Sequence, residues 1–228
     1  MNALIYKPVL FVHVLCGITA LLTGFMAMIA RKKGGKFHKT NGLVFYYAML
    51  GIFVSTIIFF VLEPFKLKYQ FFLGIGIVSF YPTYVGRRML SMKKEIVANP
   101  LDWFAVYFAA LSGVVMVGYG MVIDDVSVKI LFSIFGTNIL LNSFNDWRLY
   151  TGRKKAEDMQ WFLGHAGRMI GAYSAAVTAF CVNVVPRYMP RNTPESVNIA
   201  TWVLPGLILG LVTIYTIRKY RKQFAVSK

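Results

Sequence analysis

Seven long apolar blocks leave this chain few folds to choose from. They cover about residues 8–30, 43–62, 69–86, 103–123, 127–147, 161–185 and 198–217. A helix needs about 20 mostly apolar residues to cross the hydrocarbon of a bilayer, so each block is a candidate span. Within hydrocarbon every backbone N–H and C=O must find its partner inside the protein, which a helix achieves alone. A β-barrel needs short alternating segments, and none is present. The expectation is an all-α integral membrane protein: one transmembrane domain over residues 1–228, a seven-helix bundle. The chain is 57% hydrophobic and only 15% charged, where a soluble domain carries about a quarter of its residues as charges. The third block contains Pro82 and ends at Arg87 and Arg88, so a kink is expected there.

The first block is longer than the apolar core of a signal peptide, and positive charges follow it rather than precede it. It reads as a retained helix. Lysine and arginine then set the direction. Eighteen of them fall in alternate connections: Arg31, Lys32, Lys33, Lys36 and Lys39; Arg87, Arg88, Lys93 and Lys94; Arg148, Arg153, Lys154 and Lys155; Arg218, Lys219, Arg221, Lys222 and Lys228. The other connections hold six: Lys7, Lys66, Lys68, Lys129, Arg187 and Arg191. By the positive-inside rule the N-terminus is outside and the C-terminus cytoplasmic. The net charge of +16 is therefore a topology signal. Scattered among short loops, it makes no nucleic-acid footprint. Cys16 and Cys181 each lie in an apolar block and read as buried small residues.

Polar residues inside the blocks are the candidates for function. LGHAGRMIG (163–171) opens the sixth block with His165 and Arg168, three apart and so on one helix face. Gly164, Gly167 and Gly171 around them would let a neighbouring helix approach closely. In the fifth block Asn138, Asn142 and Asn145 make an i, i+4, i+7 stripe bordered by Asp146. Amides facing hydrocarbon are costly, so the stripe is expected to face the bundle or a wet cavity. Asp146 is expected to meet Arg168 or His165.

His38, in RKKGGKFHKTNGLVF (31–45), precedes the second block, with Asn41 as a possible cap. Two imidazoles and the Asp146 carboxylate would make a first-row metal site with open positions. Two imidazoles from different helices could instead ligate a haem. His13 lies on a seam with Gly17, Ala20 and Gly24, near the outer side, with Asn183 and Asn138 as candidate neighbours; it is a separate metal candidate or a packing residue. No second outer histidine exists for a two-haem arrangement. Glu63, Asp124 and Asp125 read as solvated caps.

Three readings stay open: a cytoplasmic-side site for a transition metal, haem or small polar or anionic ligand in redox or proton-coupled chemistry; a transporter or channel lined by the asparagines; and a structural or accessory subunit whose polar residues only specify packing. The expected partners are the lipid bilayer and a small molecule or ion, with no nucleic acid.

HVLCGITALLTGFMAM with the basic turn after it, GKFHKTNGLVFYYAM and HAGRMIGAYSAAVTAF together resemble an uncharacterised family of bacterial multi-span inner-membrane proteins. The resemblance covers about residues 8–185. It implies a polytopic protein of the bacterial inner membrane and marks His13, His38, His165 and Arg168 as family-type positions, without a role for any.

Overall fold

The computed structural model describes residues 3–190 and 192–226; Arg191 and Lys228 of the charge pattern lie outside them. Seven α-helices account for nearly all of it, and no strand occurs among the described residues. They are α1 (Ala3–Ile29), α2 (Lys36–Leu62), α3 (Leu67–Met89), α4 (Pro100–Val122), α5 (Val126–Tyr150), α6 (Gln160–Val184) and α7 (Glu195–Val226). A 3-10 turn, Val185–Tyr188, follows α6. Each apolar block corresponds to one helix, with block ends at most one residue beyond the helix. The largest boundary differences are at the end of α7, which runs nine residues past its block, and at the start of α2, seven residues before its block, so His38 and Asn41 are helical rather than flanking. Asn41 is no cap: its Nδ2 donates to Phe37 O at 2.9 Å, and Gly35 holds the N-cap position.

Among the described residues, five helices are long and apolar enough to cross a membrane: α1, α2, α4, α6 and α7. Their outward faces carry large exposed apolar side chains, such as Phe11 (71%), Leu111 (63%) and Leu211 (68%). So much exposed apolar surface would be untenable in water. These are membrane-spanning helices, and the chain is a multi-pass membrane protein in contact with lipid.

The two remaining helices, α3 and α5, are diluted by polar residues. For α3, position explains why that is tolerated. α3 is central, touching α2, α4, α5 and α6. Its row Ile77, Tyr81, Val85 and Met89 is buried and forms a core with Val106, Ala109 and Ile139. A helix sheltered by protein needs no apolar coat. α3 also runs unbroken through Pro82 to Met89. Around the proline, Ser79 Oγ donates to Ile75 O at 2.7 Å and Thr83 Oγ1 to Ser79 O at 2.8 Å.

The remaining pairings are α1 on α2, α4 on α5, α6 on α7 and, less extensively, α1 on α6. A second core joins Ala20, Phe45, Met49 and Ala172. On the seam expected in α1, Ala20 is fully buried and Gly24 meets Tyr173 and Phe45, while Gly17 faces open space. Contacts fix which connections share an end. Lys93 stacks on Trp161 at 4.9 Å, and Arg221 pairs with Glu157 at 2.6 Å. His38 reaches back to α1 at Ala27 O and lies beside His165. The three basic loops and the end of α7 therefore gather at one end of the bundle, called here the basic end. Glu63 with Lys66 (3.2 Å) and Asp125, which caps α5 by accepting from Val128 N–H, lie at the other. The Lys66 ammonium beside Glu63 holds its carboxyl below the usual value.

Candidate functional site

Three groups of polar side chains lie toward the basic end. The first joins α3, α5 and α6. Asp146 is 1% exposed and belongs to the buried row Ile139, Ser143, Asp146 on α5. Its Oδ1 accepts from Arg168 Nη2, and its Oδ2 accepts from Tyr81 Oη at 2.6 Å. Charge is thus neutralised where burial would otherwise cost several kcal/mol. The expected Asp146–Arg168 contact is present. Gly86 on α3 makes it possible: a Cβ there would come within 3.1 Å of Arg168 Cβ. Gly164 does the same from α6, where a Cβ would meet Met89 Sδ at 3.1 Å. Gly171, expected to help this approach, faces open space. Arg168 Nη1 and Tyr150 Oη are buried without a protein partner.

The second group joins α3 to α4. Asp102, also 1% exposed, accepts from Arg88 Nε at 2.8 Å and Arg88 Nη2 at 2.7 Å. Tyr84 Oη donates to it at 2.8 Å. The same carboxylate closes a capping box with Asn99, behind Pro100 at the first helical position. Here and at Asp146 the carboxylate binds an arginine from a neighbouring helix and a tyrosine from α3.

The third group is the pair of histidines. His38 lies in the first turn of α2, and its Nδ1–H donates to Ala27 O at 2.9 Å. His165 Nδ1–H donates to Gly86 O at 2.8 Å. Both carbonyls are in the last turn of their helices, α1 and α3, where backbone oxygens lack an intrahelical donor. At the end of α3, Leu90 N–H bonds Arg87 O instead of Gly86 O. A carbonyl can only accept, so the proton must be on Nδ1 in each ring. In its neutral form each imidazole then presents the lone pair of Nε2. No Nε2 partner is found among the described residues. The ring centres are 6.3 Å apart, with planes at 78°.

The three-ligand set of His38, His165 and Asp146 is therefore not assembled. The carboxylate is bound to Arg168 and Tyr81, and among the described residues no three His, Cys, Asp or Glu groups converge on a metal position.

The asparagine stripe also differs from expectation. Asn138 and Asn145 are exposed and Asn142 half-buried, so the stripe lines no interior path. Asn142 Nδ2 donates to Asn138 O at 2.8 Å and to Asn138 Oδ1 at 3.2 Å. Asn145 Nδ2 donates to Leu141 O at 2.8 Å. The helix itself meets part of their demand. One residue is a rotation of about 100° on a helix. That step separates the outward row 138, 142, 145 from the buried row 139, 143, 146.

His13 meets neither Asn183 nor Asn138. Its Nδ1–H donates to Ser55 Oγ at 2.6 Å on α2, since the Ser55 hydroxyl proton goes to Ile52 O. Its ring packs on Phe59. Asn183 turns back to Ala179 O. His13 is thus a packing and hydrogen-bonding residue between α1 and α2. Cys16 and Cys181 are free and half-buried.

Tyr81, Tyr84, Gly86, Arg88 and Asp102 were not singled out by sequence reasoning. A signal existed for Asp102: Asn99, Pro100 and Asp102 spell a helix start. The tyrosines and Gly86 have no local signature, since their roles come from helices distant in sequence. No family model, curated protein or solved structure matches the chain.

Proposed function

We propose that this is a seven-span protein of the bacterial inner membrane, N-terminus outside, whose His38 and His165 together ligate a transition-metal centre near the cytoplasmic face. The seven-span reading is supported by helix length: α3 and α5 have 23 and 25 residues, about 35 Å or more at 1.5 Å per residue. Orientation is supported by the basic end, which carries most of the lysine and arginine. The bacterial assignment rests on the resemblance to the inner-membrane family.

The observation that carries the ligand reading is the matched pair of anchored imidazoles. Metal-binding histidines typically donate their other ring N–H to a carbonyl or carboxylate, which fixes tautomer and orientation. Both rings here do so, with a backbone carbonyl each. With metal–nitrogen bonds of about 2.0–2.1 Å and about 1.2 Å from nitrogen to ring centre, two imidazoles on one metal have centres roughly 5–6.5 Å apart. The observed 6.3 Å falls within that range.

Charge favours haem over a bare ion. Arg87 follows Gly86, whose carbonyl holds His165, and Lys36 and Lys39 flank His38 in sequence. A naked dication gains no carboxylate there and is repelled by the guanidinium, whereas haem brings two anionic propionates. Haem would supply one-electron chemistry; the chain's part is to hold the two tautomers and offer cations to the propionates.

The test is metal analysis and an absorption spectrum of the protein purified from membranes and, separately, after incubation with hemin. A stoichiometric metal, or a Soret band lost in His165→Ala, is expected. Protein that is colourless and metal-free in both preparations overturns the reading.

A further inference from the structure

The outward face of α5 differs from those of the other helices. Ile134, Asn138, Leu141 and Asn145 are all exposed and spaced by four, three and four residues. That is the a/d spacing of a helix seam that packs on another helix. Elsewhere the exposed faces can meet lipid: α1 shows Phe11, Leu15, Ile18 and Leu22, and α7 shows Leu204, Ile208 and Leu211. On α5 two amides stand on such a face. Asn138 is the thirteenth of 25 helical residues, so it lies at mid-span if α5 crosses the membrane, a reading this inference rests on. An amide there faces hydrocarbon unless something polar covers it.

Intrahelical bonds leave a definite remainder. Asn138 Oδ1 is used by Asn142, but its Nδ2 has no partner among the described residues. Asn145 uses its Nδ2 on Leu141 O and keeps Oδ1 open. Each amide has two N–H donors and two oxygen lone pairs, so both asparagines, one heptad apart and flanked by apolar side chains, keep a donor and an acceptor.

We propose that α5 pairs with α5 of a second copy of this chain through Ile134, Asn138, Leu141 and Asn145. A second copy fits because each asparagine can be its own complement, and symmetry then sets the geometry. All copies insert with one orientation, so a two-fold axis must stand along the membrane normal, and α5 meets α5 in parallel. Every asparagine then meets its counterpart at equal depth. An amide is both donor and acceptor, so identical amides can satisfy one another, as a buried asparagine does in a parallel coiled coil.

The experiment is disulfide cross-linking and single-molecule counting in bacterial-lipid liposomes, with Cys16→Ser/Cys181→Ser as the parent. Leu141→Cys should yield a cross-linked dimer under mild oxidant, and Val114→Cys, on the exposed face of α4, should not. Asn138→Leu/Asn145→Leu, which keeps the face apolar and the core untouched, should raise the dimer dissociation constant by about threefold to thirtyfold per asparagine. An inserted parent that stays monomeric at every protein-to-lipid ratio overturns the pairing. So does a dimer that the double substitution leaves unchanged, or one linked through Val114→Cys instead. Carbonate extraction with cysteine labelling of the loops on either side of α5 reports separately on whether that helix spans.

Discussion

The carboxylate clasps and the histidine pair are at the same end of one bundle, yet they are built on opposite principles. In each clasp the charge is answered. Asp146 and Asp102 are sealed from solvent, and each accepts from an arginine and a tyrosine. In the histidine pair each ring spends one nitrogen on a helix-end carbonyl and keeps the other. A saturated group has little left to offer a ligand, and removing one member leaves a charge stranded. An unsaturated group offers a lone pair, and its loss frees only a carbonyl near a helix end. The clasps should therefore govern stability and the histidines ligand content.

The largest effect expected is on the Asp146 clasp. Asp146→Ala leaves the Arg168 guanidinium largely buried without its counter-charge, and should cost about 3–5 kcal/mol, read as a lowered melting point in detergent. Adding Arg168→Met should recover much of that loss, because the stranded charge goes too. A double variant less stable than Asp146→Ala would show that the pair contributes more than neutralisation.

Next comes Asp102→Ala, which removes the Arg88 and Tyr84 bonds and the helix cap. Arg88 can turn toward solvent, since its side chain is one-quarter exposed, so the cost should be smaller, about 1–3 kcal/mol. Tyr81→Phe deletes one hydrogen bond to a carboxylate and should cost about 1.5–3 kcal/mol, measurable by the same melt, with ligand content unchanged.

The smallest stability effect belongs to the histidines. His38→Ala and His165→Ala each remove one bond to a carbonyl and should cost about 1 kcal/mol. They should nonetheless abolish metal or haem content. A histidine variant as unstable as Asp146→Ala would erase the contrast.

The sequence makes the helices legible because lipid imposes a local rule: a long enough apolar run must be a helix. The Asp146–Arg168 contact is legible from the cost of buried charge, although α6 packs on α3 and α7 rather than on α5. The asparagine row is misread from sequence because the amides were denied a local remedy. On a helix, Asn142 and Asn145 can each give an N–H to the carbonyl four residues back, so they need not turn inward. The inward row begins one residue later, and only packing against α3 and α4 decides between the two. Similarly, no local pattern shows that α3 becomes the centre of the bundle, or that Gly86 O receives the proton of His165. The histidine pair is read from spacing as part of a three-ligand set, but Asp146 already has two donors.

The most direct measurement compares metal or haem per chain in the wild type, Asp146→Asn and His165→Ala, each checked for folding by its melting curve. The account predicts a stoichiometric centre in the wild type, retained in folded Asp146→Asn and absent from equally folded His165→Ala. A centre that survives in His165→Ala, or that depends on Asp146 rather than on the imidazoles, would contradict it.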